Sequence, residues 1–312
     1  MAATATAATP HCTAQTRLLV IAPHPDDETI AAGMLIQRVC AAGGVVDILL
    51  LTDGDNNPWP QRVLERRLHI GAAERARWGR RRRAEMTQAL QHLGVPAEHL
   101  HPLGWPDLGL AELLLQPASM AVQTVASVLA RLRPNLLVMP ALADRHPDHA
   151  SAHVLVRLAL ADAVDPPAQW TYGVHATTVS APPIESGGTP AQRSNKQLAL
   201  AAHASQMALS GSRMRRLATR VEQYAQLSAC CGTGDVLPWR PPAWLGPRLR
   251  LSVVDVRGAR SWSWSQAPVR RDSHGVTHLL APVDHGTPCF ARLALQVPSP
   301  WIFDHWGWCE FG

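Results

Sequence analysis

Residues 17–28 read RLLVIAPHPDDE, and the fold follows from how this stretch is parsed. Arg17–Ala22 is a short apolar run. Pro23 and Pro25 interrupt it on either side of His24. From Glu28 to Ala41 the apolar residues recur at helical spacing, and Gly43-Gly44 supplies the stop. Two further continuous apolar runs follow, VVDILLLT at residues 45–52 and NLLVMP at 135–140. Runs of this kind suit strands buried on both faces of a parallel sheet. Helical spacing returns at residues 81–93, stopped by Gly94 and Pro96, and at 118–132, stopped before Pro134. The alternation predicts an α/β fold with a doubly wound, mostly parallel, Rossmann-like sheet.

Pro182-Pro183 and Gly187-Gly188 mark an exposed loop, after which residues 195–208 and 213–227 have helical spacing. Pro238, Pro241, Pro242 and Pro247 punctuate the chain after Gly232, and short strands are expected at 249–256, 277–282 and 291–297. The expected organisation is a disordered arm over 1–16, a main domain over 17–232, and a small Pro/Trp-rich, β-rich carboxyl-terminal module over 233–312. No internal repeat interrupts this plan.

With 46% hydrophobic and 17% charged residues among 312, the chain is globular. The net charge of +5 owes much to Arg80, Arg81, Arg82 and Arg83. That run reads as a solvated helix face, and no basic–aromatic repeat accompanies it, so a nucleic-acid partner is not expected. The Ala/Thr-rich amino terminus lacks a charged segment followed by an apolar one, and no run reaches the ~18 apolar residues of a transmembrane helix. The expected compartment is the cytoplasm. Cys12, Cys40, Cys230, Cys231, Cys289 and Cys309 form no CxxC pair and read as thiols.

Two motifs carry chemistry. His24-Pro25-Asp26-Asp27-Glu28 follows the first strand, and His146-Pro147-Asp148-His149 follows the strand ending at Pro140. Ligands in such folds bind beyond the carboxyl ends of the strands. Two histidines and a carboxylate are a common ligand set for catalytic zinc, and the remaining groups would supply a base for water and a donor for a leaving amine. A turn whose Asp caps the next helix would explain either motif alone. Both motifs at strand ends in one chain favour the metal.

On these residues the chain resembles the PIG-L/LmbE family of zinc-dependent N-acetylglucosaminyl deacetylases. Thr52-Asp53-Gly54, residues 82–95 (RRAEMTQALQHLGV), 103–108 (LGWPDL), 196–206 (KQLALAAHASQ) and Glu222-Gln223-Tyr224 also match its habits, over roughly residues 17–230. The resemblance implies that His24, Asp27 and His149 bind the metal, zinc or else iron(II) or another divalent ion. It implies that Asp26 is the general base, that His146 stabilises the oxyanion, and that Asp148 orients His146. The implied reaction is hydrolysis of the N-acetyl group of an N-acetylglucosamine-containing glycoconjugate. Alternatives are removal of a longer acyl group from an amino sugar and non-catalytic carbohydrate binding.

Candidate substrate residues are Arg82, His203 and His175, the last in a stretch (170–176) expected to be a strand. Lys196 reads as a helix-surface residue. Of the 11 tryptophans, Trp239, Trp244, Trp262, Trp264, Trp301, Trp306 and Trp308 lie in the last quarter. They are expected chiefly to build the core of the module, which in turn would shape access for a larger glycoconjugate.

Overall fold

The computed structural model describes residues 9–116, 120–175, 183–227, 235–280, 287–296 and 302–311. Along the chain the elements are β1 (Arg17–Ala22), α1 (Asp27–Ala41), β2 (Val45–Thr52), α2 (Pro58–Glu65), α3 (Ala72–Leu93), β3 (Leu100–Trp105), α4 (Leu110–Leu114), α5 (Met120–Leu132), β4 (Leu136–Pro140), α6 (Pro147–Ala159), β5 (Ala168–Tyr172), β6 (Ile184–Ser186), α7 (Pro190–Ala202), α8 (Ala204–Ala218) and β7 (Glu222–Gln226). Among the described residues after β7 the regular elements are strands and short 3-10 turns: β8 (Val236–Leu237), β9 (Leu249–Asp255), β10 (Gly258–Ser263), β11 (Val269–Arg271), β12 (Thr277–Leu279), β13 (Cys289–Leu295) and β14 (Gly307–Phe311). These elements form two units, one of residues 1–108, 132–140 and 167–227, the other of residues 109–131, 141–166 and 228–312.

The first unit holds a sheet in the order β3-β2-β1-β4-β5-β7-β6. Strands β1 to β5 run parallel, and β7 runs antiparallel to both of its neighbours. The chain winds outward from β1 through β2 and β3, then returns to the other side of β1 as β4. Leu18, Leu19 and Val20 pair with Leu136, Leu137 and Val138, so the carboxyl ends of β1 and β4 lie side by side at the point where the winding reverses. Ligands bind at such switch points in open α/β sheets. Val20, Ile48 and Leu50 of the sheet pack with Leu35, Ile36 and Val39 of α1 and with Met86, Leu90 and Leu93 of α3. Each such buried side chain contributes about 1.5–3 kcal/mol relative to exposure.

Several expectations change here. Helix α3 starts at Ala72 rather than near residue 81, because its first turns are polar and bury little besides Trp78 and Gly79. Residues 222–226 are not helical. They form β7, in which Glu222 and Tyr224 face inward with the alternation of a strand. The helical stretch expected at 195–208 is divided at His203 between α7 and α8. Strand β5 ends at Tyr172, so His175 lies beyond it.

In the second unit, β10-β9-β13-β14 and β11-β12-β8 form two antiparallel sheets, as the β-rich reading of the tail expects. Trp239 belongs to their core with Leu251, Val253 and Phe311, and Trp262, Trp264 and Trp306 pack against it. Trp244 is exposed, and Trp301 falls outside the described residues. Helix α6 belongs to this unit. Its Ser151 hydroxyl accepts from Trp308 Nε1 at 3.1 Å, and its Arg157 pairs with Glu310 at 2.9 Å, so β14 is fastened along it. Among the described residues no helix is long and apolar enough to cross a membrane. The described cysteines, Cys12, Cys40, Cys289 and Cys309, are thiols and not disulfides.

Candidate active site

The first motif forms a tight turn at the end of β1. The backbone N–H of His24 donates to the Asp27 carboxylate at 3.0 Å, and Asp27 N–H donates back to the His24 carbonyl at 3.3 Å. The buried His24 ring lies between two carboxylates, with Nδ1 3.4 Å from Asp27 and Nε2 3.3 Å from Asp107, which follows β3. Burial alone would raise the Asp107 pKa. The hydrogen bond and charge of His24, the Asn56 amide and Arg82 outweigh it and hold this carboxyl below the usual range.

Asp26 precedes α1 but does not cap it with its side chain. Its φ of 125° lies in the region that favours glycine, and holding a non-glycine residue there costs on the order of 1–3 kcal/mol. The carboxylate accepts from Arg82 Nη2 at 3.1 Å, and the Asp26 N–H donates to Glu28 at 3.0 Å. Burial pushes Asp26 up to about 6, against the lowering charge of Arg82 and with help from Asp27. Arg82 also donates to the carbonyls of Pro25, at 2.7 Å, and Gly54. Gly54 has φ 61°, and a Cβ there would run into the guanidinium, so glycine is required on both counts. Behind Asp26, His203 sits 3.1 Å from the Glu28 carboxylate and 3.4 Å from the Thr29 hydroxyl. Burial opposes protonation of His203, but the neighbouring charge and hydrogen bond of Glu28 prevail and raise its pKa.

The second motif begins α6. Pro147 occupies the first helical position, where its missing N–H costs nothing. His146 is the cap: its Nδ1 accepts from the Asp148 N–H at 3.3 Å, which leaves the neutral ring's proton on Nε2. Asp148 is fully buried and accepts from the Leu110 N–H at 3.2 Å. His149, also fully buried, has Nδ1 3.3 Å from the Asp144 carboxylate, while Asp144 accepts from the His146 N–H at 3.0 Å. The His146 and His149 rings are 5.0 Å apart.

These donor sets suit a divalent cation of intermediate softness. The His24 imidazole is buried between Asp27 and Asp107, while Asp26 is paired with the permanent cation Arg82 and Glu28 with His203. A divalent ion would offset that surplus of negative charge. The Asp144–His149 pair has the carboxylate–imidazole form that orients a metal-binding histidine.

Arg82 and His203, both candidates from the sequence, stand within the first cluster. His175 does not, and its Nδ1 lies 2.9 Å from Arg213 Nη2. Arg82 is not part of a solvated face, being 5% exposed, and Lys196 is not a surface residue, being 2% exposed and paired with Glu222 at 2.6 Å. Asp107 and Asp144 were not singled out as site residues. Their signals were slight: a carboxylate just past the strand in LGWPDL, and one two residues ahead of His146.

Residues 19–160 match a family model described as PIG-L: GlcNAc-PI de-N-acetylase. The chain is similar to this family over those residues, somewhat under half of its length. Over 176 residues the chain is 31% identical to a 1D-myo-inositol 2-acetamido-2-deoxy-alpha-D-glucopyranoside deacetylase of Corynebacterium urealyticum, a match covering 50% of this chain and 52% of the relative. It thus spans about half the length of that relative. A conserved protein of Thermus thermophilus has a similar structure, with TM-score 0.51, 25% identity, and coverage of 72% of this chain and 99% of that one. The N,N'-diacetylchitobiose deacetylase of Pyrococcus horikoshii shares the fold, with TM-score 0.53, 17% identity, and coverage of 68% and 84%.

Proposed function

We propose that this chain is a PIG-L-type, zinc-dependent deacetylase that hydrolyses the N-acetyl group of an N-acetylglucosamine-containing glycoconjugate. The observation that carries the reading is Asp26. A carboxylate held at an unfavourable φ, spared from helix capping, gripped by a buried arginine and raised to about 6 is suited to accepting a proton near neutral pH. The matched relative is named as a deacetylase of an acetamido sugar, which is consistent with that use.

His24 and Asp27 of the first loop and His149 of the second would share the metal. The two loops leave adjacent parallel strands at the switch point of the sheet, which supports this division. When bound, a zinc ion supplies Lewis acidity and lowers the pKa of water to about 7. Asp144 holds the His149 ring for ligation. Asp26 accepts the proton as the water oxygen bonds to the amide carbon, and Arg82 keeps its carboxylate in place. His146, its Nδ1 tied to the Asp148 N–H, presents Nε2 as donor to the oxygen where charge accumulates. The C–N bond then breaks, the leaving nitrogen takes up the proton that Asp26 accepted from water, and acetate departs.

Metal analysis and acetate release from N-acetylglucosamine and simple conjugates test this with wild type and Asp26→Asn. Stoichiometric metal is expected in both, with turnover in the variant lowered by about 10²–10⁴. Undiminished hydrolysis by Asp26→Asn would refute the role of Asp26. Metal without acetate release from any conjugate would instead point to another acyl group or to sugar binding alone.

A further inference from the structure

The carboxyl-terminal module lies outside residues 19–160, yet it reaches His146. We propose that Phe303 is a specificity-determining wall for a second ring joined to the amino sugar, an inference that rests on the deacetylase reading for the role of His146. The Phe303 ring centroid is 6.2 Å from that of His146, with the planes at 83°. The guanidinium of Arg145, the residue before His146, lies over the same ring, 5.8 Å from its centroid. Phe303 is half-buried and Arg145 is exposed.

The segment is fastened. The Asp304 N–H donates to the Arg145 carbonyl at 2.9 Å. Arg292 of β13 grips both Asp304 oxygens, with Nη2 3.0 Å from each and Nε 3.2 Å from one. A forked arginine–carboxylate pair of this kind fixes direction as well as distance. A few residues on, β14 is bound to α6 through Trp308 and Glu310. Phe303 is therefore held against the same helix whose cap is His146.

Its reach decides what it would touch. An acetyl group extends only one carbon, ~1.5 Å, past the carbonyl carbon on which His146 would act. A wall centred 6.2 Å from His146 suits a larger part of the substrate. An aromatic ring with a guanidinium over it recognises flat groups by stacking and hydroxyls by hydrogen bonding. A second sugar or an aryl aglycone has both a flat face and, for the sugar, hydroxyls.

The test compares N-acetylglucosamine with its p-nitrophenyl β-glycoside on the metal-loaded full chain. Phe303→Ala should raise KM for the aryl glycoside about tenfold, as loss of a stacking contact implies, with kcat and the parameters for N-acetylglucosamine changed less than about twofold. Phe303→Leu, which keeps the bulk, should lose most of the same preference and stands in should the alanine variant not fold. Equal losses on both substrates, or a loss that follows acyl length instead of the second ring, would overturn the proposal. Calorimetry of the aryl glycoside with Asp26→Asn, with and without Phe303→Ala, separates the two readings. A wild type that releases no acetate sinks the deacetylase reading, whereas an unchanged Kd sinks the wall.

Discussion

Replacing Lys196 by Met should destabilise the first unit through charge and not through packing. Lys196 Nζ donates to Glu222 at 2.6 Å and to the Ile30 carbonyl at 2.9 Å. The Lys196 stem lies over Gly33, where a Cβ would meet its Cγ at 3.1 Å, so the unbranched Met fills the same space. What is lost is the counter-ion of a buried carboxylate. Removing one partner of a buried pair costs about 3–5 kcal/mol. Glu222 keeps three other donors, the N–H groups of Met34 at 2.7 Å and Leu35 at 3.1 Å and the Tyr224 hydroxyl at 2.9 Å. The cost therefore falls at the lower end, ~3 kcal/mol, or a fall in Tm of ~6–12 °C. Urea and thermal unfolding followed by circular dichroism at neutral pH measure it. Lys196→Met combined with Glu222→Gln should recover a large part of the loss, since no uncompensated charge remains. A single variant within about 1 kcal/mol of wild type would show that the pair is not what the helix depends on. A double variant no better than the single one would show that the charge is not the reason.

Two further outcomes follow from the geometry. Asp144→Asn, by weakening the orientation of His149, should lower metal affinity about 10–100-fold in competition with a chelator, and unaltered affinity would remove Asp144 from the site. His278 lies 3.2 Å from both Asp235 and Asp272, whose hydrogen bonds raise its pKa. Its NMR titration midpoint should stand above the ordinary value of about 6.5 and fall in Asp235→Asn. Because the folded value is the higher one, any stabilisation from this cluster is complete below the unfolded pKa and is lost as pH rises through the folded one.

The central strands were legible because burial on both faces leaves apolar runs, as in Arg17–Ala22 and Leu136–Pro140. β7 was not, since its buried positions include Glu222, a residue made tolerable inside by Lys196 and by N–H groups from α1. The same dependence on distant partners hid the burial of Lys196, and that of Arg82 although the sequence marks it as a site candidate. Each looks solvated in its own helix and is buried only because Asp26 or Glu222 awaits it elsewhere. The two histidine–aspartate motifs were plain because their chemistry is local to a few residues. Asp107 and Asp144 were obscure because a loop carboxylate is commonplace, and only the histidine beside each gives it meaning.

The fastening of β14 along α6 also sets an order of events during synthesis. Ser151 and Arg157 are translated some 150 residues before Trp308 and Glu310, which complete their contacts. Until that late segment has emerged, the helix that begins at His146 lacks the partners along its side. A nascent chain can pack much of β1 to β7 early, but the setting of its second motif is finished only once Trp308 and Glu310 have emerged. A stalled or clipped chain would then hold both motifs in sequence and yet lack the support of one of them.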